Sequence, residues 1–170
     1  PAIADAVEPK KLPETGLAQP VGAVNFNNVS FGYDIGHSDL TVLNGLSLAI
    51  QPGESVAIVG ATGSGKSTIT RLLLRFYDPQ SGVVKIDGRD VREITQHSLR
   101  RHIGTVTQET FLFHDTIAEN IRYGNLDATR EQIESAAKFA YAHDFILAQP
   151  NGYETIVGDK GCMLSGGQQQ

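Results

Sequence analysis

Cysteine, methionine and tryptophan are scarce in this 170-residue chain, which has one cysteine, one methionine and no tryptophan. The single Cys162 excludes an internal disulfide framework and is typical of a reducing compartment. No apolar run approaches the roughly 18 residues that cross a bilayer, and no signal peptide is predicted. Positive charge is also limited, because 14 Lys and Arg stand against 19 Asp and Glu and give a net charge of −5. A broad basic surface is therefore excluded, and we predict no nucleic-acid partner.

A hydrophobic content of 40% and a charged content of 19% are typical of a soluble globular domain. Residues 1–23 differ from the rest because they hold four of the seven prolines, and we predict that they form an extended linker from an upstream domain. The chain begins on Pro1 rather than methionine and closes on Gln170. We therefore expect both ends to have been cut from a longer protein.

One glycine-rich stretch carries the strongest chemical signal. It matches the phosphate-binding pattern G-x-x-x-x-G-K-[ST] and lies between a predicted buried strand, 55–59, and a predicted helix, 68–76. Backbone N–H groups and the helix start favour a phosphate, Lys66 would reach the β- and γ-phosphates, and Ser67 would ligate Mg²⁺. The sequence therefore predicts a nucleoside triphosphate site formed by Gly60, Ala61, Thr62, Gly63, Ser64, Gly65, Lys66, Ser67 and Thr68.

Alternating apolar residues predict a small antiparallel sheet beside this loop. Its strands are predicted at 24–31, 41–50 and 84–86, with a polar loop from Gly32 to Asp39 joining the first two. Pro52-Gly53 and Asp87-Gly88 are turn signals. A further buried strand is predicted at 103–107, after a short helix at 95–102.

Beyond residue 110 the pattern changes to helices. Thr116 to Glu119 and Thr129 to Gln132 have the spacing of helix capping boxes. The second is followed by a predicted apolar stripe of Ile133, Ala136, Ala137 and Ala140, and a short helix is predicted at 144–148. We therefore predict a nucleoside triphosphate-binding core with an antiparallel β subdomain over residues 24–110, and a helical subdomain over residues 111–170.

Four more sequence motifs occur in a characteristic order along the chain. Tyr33 precedes the phosphate loop, Gln108 ends the predicted strand 103–107, and a glycine-bearing turn spans 155–161. Last comes Leu164-Ser165-Gly166-Gly167-Gln168. With these motifs, residues 24–170 resemble the nucleotide-binding domain of an ATP-binding-cassette (ABC) transporter of the exporter type. The segment 111–121 is similar to the stretch that exporters place after their Q-loop glutamine. The resemblance implies an α/β fold with a P-loop NTPase core, here with an incomplete parallel sheet.

The resemblance also assigns roles to these residues. Tyr33 would stack on the adenine of ATP, with a half-buried core tyrosine as the alternative. Gln108 would join Ser67 as a ligand of Mg²⁺, which prefers oxygen donors. Leu164, Ser165, Gly166, Gly167 and Gln168 form the signature motif, which would close over the ATP of a second nucleotide-binding domain in a head-to-tail dimer. ATP and Mg²⁺ are thus the implied cofactors, and a transmembrane domain of the same transporter is the other implied partner.

The chain departs from the family pattern in two respects. Ile156 stands where exporters often carry an acidic residue, so coupling to the membrane domain is expected to differ there. The chain also stops before the Walker B strand, the catalytic glutamate and the switch histidine, so no catalytic residue is assigned. We expect the parent protein to be an ATPase that drives export, and this chain to bind ATP with little hydrolysis. Uncovered strands at 55–59 and 103–107 would make it marginally stable and prone to association.

The expected location is the cytoplasmic face of a membrane, the bacterial inner membrane first, reached through a membrane domain that this chain lacks. Two alternatives stay open. One is the cassette of a soluble ABC ATPase, and the other is a non-catalytic module whose interactions depend on nucleotide. The transported substrate is not encoded in these residues, because membrane helices select it.

Overall fold

The computed structural model describes residues 20–35, 38–158 and 164–170. The chain divides into two compact units, the first ending at Gly104 and the second beginning at Thr105. Most of the predicted linker, the end of the glycine-bearing turn and Cys162 lie outside the described residues. The functional division proposed after residue 110 stays a prediction.

The first unit contains a four-stranded antiparallel sheet with the strand order β2-β1-β3-β4. Phe26 of the first strand lies opposite Leu48 on one side and Val84 on the other. Phe26 and Val84 are fully buried, so the alternation of apolar residues does mark the core face. The three predicted strands are confirmed. The bounds are β1 Val24–Ile35, β2 Ser38–Ile50, β3 Ser81–Ile86 and β4 Arg89–Asp90.

Both predicted turns are confirmed. Asp87 and Gly88 have φ angles of 49° and 79°, which is the type I′ conformation that suits a two-residue hairpin between β3 and β4. Glu54 N donates to Gln51 O at 3.1 Å and closes the turn at Pro52-Gly53.

The predicted polar loop from Gly32 to Asp39 is wrong. β1 continues to Ile35 and β2 begins at Ser38, with Gly32 paired to Thr41 and Tyr33 paired to Leu40. The polar composition of this segment predicted a loop, but hydrogen bonds between β1 and β2 continue into the segment from both sides. Tyr33 therefore lies on a strand, which gives its side chain a defined direction.

The buried strands predicted at 55–59 and 103–107 are also wrong. Within the described ranges neither segment belongs to a ladder, and Val59 and Val106 are 88% and 78% exposed. Their β-branched composition suits a strand, but a strand forms only where a neighbour accepts and donates its backbone hydrogen bonds. Both segments therefore remain irregular chain.

The helix after the phosphate loop ends earlier than predicted. It buries Thr68 and Leu72 against the sheet, and Arg75 follows it with a φ of 51°. The buried Arg75 guanidinium donates to Ile94 O and to Asp78 Oδ1, both at 3.1 Å. Arg100 Nε and Nη2 donate to Leu74 O and Arg75 O, each at 3.2 Å, so Arg100 satisfies two carbonyls at the end of the helix. The helices of this unit are α1 Lys66–Leu73, the 3₁₀ helix Val91–Glu93 and α2 Gln96–Arg101.

The second unit is mainly helical. Thr129 caps a helix with a complete capping box, in which Gln132 N donates to its hydroxyl and Gln132 Oε1 accepts from its N–H. Thr116 caps the start of the helix Ile117–Arg122 through its hydroxyl. The predicted apolar stripe is half correct, because Ile133 and Ala137 are buried while Ala136 and Ala140 are exposed. The elements are β5 Asp115–Thr116, α3 Ile117–Arg122, α4 Arg130–Phe139, α5 His143–Leu147, the 3₁₀ helix Gly152–Glu154, β6 Ile156–Val157 and α6 Gly166–Gln169.

Candidate functional site

The phosphate loop closes around the side chain of its lysine. Lys66 Nζ donates to Gly60 O at 2.8 Å and to Ala61 O at 2.7 Å. Ser64 N donates to Ala61 O at 3.2 Å, which curls the backbone between them. The loop carbonyls are thus held by an ammonium group at the start of α1. A positive group next to a helix N-terminus attracts an anion.

Gly65 joins this loop to the sheet behind it. It is the residue before α1 and has a φ of 86°. A Cβ built on Gly65 would lie 2.8 Å from Leu43 Cδ2 and 3.1 Å from Val42 Cγ1. Strand β2 therefore packs directly against the loop backbone, and only a glycine fits the contact. Buried Leu43 gives the loop a fixed support from the hydrophobic core.

Tyr33 contacts the first turns of α1. Its hydroxyl lies 3.1 Å from Thr68 Oγ1 and accepts a hydrogen bond from Arg71 Nη1 at 3.0 Å. The rings of Phe31 and Tyr77 lie 4.9 Å and 5.3 Å from the Tyr33 ring and stand nearly perpendicular to it. Tyr33 is half-buried and packs against the core, as the structural alternative expected, but it also borders the helix that carries the phosphate loop.

Arg71 and Tyr77 are two residues of this site that the sequence prediction missed. Arg71 follows Thr68 by three positions, so both side chains lie on one face of α1. The hydrogen bond to Tyr33 raises the pKa of the Arg71 guanidinium, which stays charged at any ordinary pH. The i, i+3 spacing was a signal for this pair, but nothing in the sequence showed that Tyr33 faces it.

The second unit holds the other predicted site residues. Gln108 is exposed and directly follows Thr107, whose carbonyl accepts from Gln170 Nε2 at 3.5 Å. This hydrogen bond brings the residue before Gln108 next to the end of the signature segment. Within the second unit, the chain around Gln108 and the chain around the signature motif are therefore neighbours.

The signature motif begins a helix. Ser165 N donates to Gln168 Oε1 at 3.0 Å, and Gln168 N donates to Ser165 Oγ at 3.4 Å, which makes a capping box at the start of α6. A Cβ placed on Gly166 or Gly167 would meet no atom within 4 Å. Leu164 packs against the core of the second unit and anchors the motif.

The remaining features concern metal binding and the membrane. The described residues contain no group of three or more His, Cys, Asp or Glu that could hold a metal ion. Within the described ranges, no helix has the length and apolar character needed to span a bilayer. Ile156, at the position of the sequence departure, lies on β6 and is 52% exposed.

Comparison with known protein families decides the relationship. The family described as ABC transporter matches residues 43–170, which include the phosphate loop, Gln108 and the signature motif. The chain belongs to the ABC transporter family. The resemblance deduced from the motifs is therefore confirmed.

Individual relatives place the chain among ABC exporters. It is 53% identical over 154 residues to the ATP-dependent lipid A-core flippase of Saccharophagus degradans, covering 91% of this chain and 26% of that protein. It is 54% identical over 149 residues to the mitochondrial iron-sulfur clusters transporter ATM1 of Chaetomium globosum, covering 88% of this chain and 24% of that protein. It is 48% identical over 169 residues to human ATP-binding cassette sub-family B member 6, covering 99% of this chain and 20% of that protein.

A solved structure supports the same assignment. A bacterial Atm1-family ABC exporter with ATP bound matches with a TM-score of 0.80 and 49% identity, covering 89% of this chain and 26% of that one. The α/β fold of an exporter nucleotide-binding domain is therefore confirmed, although the parallel strands predicted at 55–59 and 103–107 are not formed here. This ABC chain spans only a fifth to a quarter of the length of the relatives it matches.

Proposed function

We propose that this chain is the ATP-binding domain of an exporter that couples ATP binding and hydrolysis to transport across a membrane. The observation that carries the proposal is the closed phosphate loop, in which Lys66 bonds to the carbonyls of Gly60 and Ala61 at the start of α1. The three relatives are named as a flippase, a transporter and a member of an ATP-binding cassette sub-family, which favours transport over a soluble ATPase or an interaction module.

The donors in the loop fit a nucleoside triphosphate with Mg²⁺. N–H groups of residues 60–68 and the Lys66 ammonium are complementary to phosphate oxygens. The Ser67 hydroxyl in the first unit and the Gln108 amide oxygen in the second are neutral oxygen donors of the kind that Mg²⁺ accepts. When bound, Mg²⁺ would neutralise charge on the β- and γ-phosphates. The close packing of Gly65 on Val42 and Leu43 fixes the loop backbone against β2.

The Tyr33 ring would form the surface on which the adenine stacks. Its position beside Thr68 and Arg71 puts an aromatic ring within reach of the same helix that carries the phosphate loop. Stacking on a tyrosine suits a site that holds a base without reading its edges, and it contributes about 1–3 kcal/mol per base.

The signature motif would act on a second domain of this kind. Ser165 and the open backbone at Gly166 and Gly167 offer a hydroxyl and N–H groups to the γ-phosphate held by a partner domain. A head-to-tail dimer would form on the cytoplasmic side of a membrane, with the bacterial inner membrane as the first choice. Gln108 and the exposed Ile156 would face the transmembrane domain of the same transporter.

A calorimetric titration tests the ATP site. We expect the chain to bind Mg-ATP, and Tyr33→Ala to weaken that binding about 5- to 100-fold because the base loses its stacking partner. Inorganic tripolyphosphate has no base, so its affinity should be nearly the same for both proteins. An equal loss of affinity for ATP and tripolyphosphate would show that Tyr33 only supports the fold, and no binding of ATP would reject the site.

A further inference from the structure

The hydroxyl of Tyr33 meets two side chains of α1 that lie one turn apart. Arg71 has only donors, so the hydrogen bond of 3.0 Å between its Nη1 and Tyr33 OH must be accepted by the tyrosine oxygen. The phenolic proton is then free to point toward Thr68 Oγ1, 3.1 Å away. Both hydrogen bonds are satisfied at once, and the far end of the ring is held at two points.

This arrangement ties the aromatic side chain of one element to the phosphate-binding part of another. Tyr33 comes from β1, whereas Arg71 belongs to the helix that begins with Lys66 and Ser67. The ring planes of Phe31 and Tyr77 stand nearly perpendicular to that of Tyr33, and their contacts limit its side-to-side movement. Neither ring bonds to the hydroxyl, so the tilt of the Tyr33 ring relative to the phosphate loop depends on α1.

Stacking requires that a ring occupy a fixed place relative to the phosphates of the same ligand. An aromatic ring that moves between rotamers must lose that freedom when the base binds, and the loss weakens the affinity. A hydrogen bond that already holds the ring removes part of this cost. Arg71 is exposed and its guanidinium also lies 5.9 Å from the ring centroid, so it stays near the ring without being part of the core.

We propose that Arg71 is a positioning residue, which holds the Tyr33 ring in place for the base and so favours nucleotides over bare triphosphate. The inference rests on the proposed ATP site and extends it to a residue outside the phosphate loop. Arg71 would act through Tyr33 rather than through its charge on the phosphates.

A double-mutant cycle distinguishes an effect of Arg71 through Tyr33 from a direct effect of its charge on the phosphates. Calorimetric titrations with Mg-ATP and with tripolyphosphate are made on the unmodified chain, Arg71→Met, Tyr33→Phe and the double variant. Arg71→Met keeps the apolar stem, and Tyr33→Phe keeps the ring but removes the acceptor. Arg101→Met serves as the matched control, because Arg101 is an exposed arginine in the last turn of α2.

We expect Arg71→Met to weaken ATP binding roughly three- to tenfold, which is the effect of one lost hydrogen bond. Tyr33→Phe should weaken it at least as much, because it removes the contact with Thr68 as well as that with Arg71. The double variant should bind ATP no more weakly than Tyr33→Phe, because Tyr33→Phe already removes the contact with Arg71. Tripolyphosphate affinity should stay within about twofold in all variants, as should ATP affinity in Arg101→Met.

Three results would overturn the inference while leaving the ATP site intact. The first is unchanged ATP affinity in Arg71→Met. The second is a double variant whose loss is the product of the single losses, since Arg71 would then act independently of Tyr33. The third is an equal loss for tripolyphosphate, which would assign Arg71 to the phosphates. If the unmodified chain binds no ATP, the proposed function itself fails, and the inference falls with it.

Discussion

Replacing Lys66 with alanine is expected to weaken Mg-ATP binding by about 100-fold. The Lys66 ammonium lies between the carbonyls of Gly60 and Ala61 and would also face the phosphates. A hydrogen bond to a charged group contributes about 1.5–3 kcal/mol, and about 2.7 kcal/mol corresponds to a hundredfold change in affinity. The variant loses both the positive charge and the group that draws the loop carbonyls inward.

The matched control for this change is Lys138→Ala. Lys138 lies in the last turn of α4 in the other unit and is exposed. Both variants remove one positive charge, so a general effect of net charge would appear in both titrations. The thermal stability of Lys66→Ala should stay close to that of the unmodified chain, because the freed carbonyls are exposed to water. Similar ATP affinities for the two variants would contradict the assignment of the phosphate loop.

Replacing Gly82 with alanine should produce the largest loss of stability, about 2–5 kcal/mol in the free energy of unfolding of the first unit. Gly82 has a φ of 79°, and its Cβ would lie 2.3 Å from Asn28 O and 2.5 Å from Asn27 O. Both contacts are to backbone at the point where the β1–β3 register shifts between Asn27 and Ser30. An alanine costs about 1–2 kcal/mol for the left-handed backbone, and overpacking adds about 1–3 kcal/mol.

Gly88→Ala separates backbone strain from steric overlap. Gly88 also has a φ of 79°, but a Cβ added there would have no atom within 4 Å. Urea unfolding followed by circular dichroism should therefore show a loss of only about 1–2 kcal/mol for Gly88→Ala. Equal losses for the two variants would mean that β1 and β3 move apart easily where their register shifts. That result would contradict a steric overlap between an alanine at position 82 and the backbone of β1.

The local motifs were predictable because their chemistry is contained in a few adjacent residues. The capping box at Thr129, the helix cap at Thr116 and the turn at Asp87-Gly88 formed where the sequence placed them. Each depends on hydrogen bonds or φ angles within four residues. The phosphate loop is nearly as local, because Lys66 bonds to carbonyls five and six residues before it.

The failures concern backbone pairing, which composition alone does not reveal, and one contact between residues distant in sequence. Gly32 to Asp39 has loop composition, yet β1 and β2 pair through it because each supplies the other's hydrogen bonds. Segments 55–59 and 103–107 have strand composition but lie outside any ladder in the described part of the chain. The contact of Arg71 with Tyr33 joins residues 38 positions apart, and a single sequence carries no signal for it.

Hydrogen–deuterium exchange with and without Mg-ATP tests most directly that nucleotide binds to the loop before α1. We predict slower exchange of the backbone amides of residues 60–68 when Mg-ATP is present, because these N–H groups would donate to phosphate oxygens. We also predict a smaller decrease in the segment that contains Tyr33. Unchanged exchange at 60–68 in a chain that binds ATP, with protection confined to other segments, would contradict this assignment and place the nucleotide elsewhere.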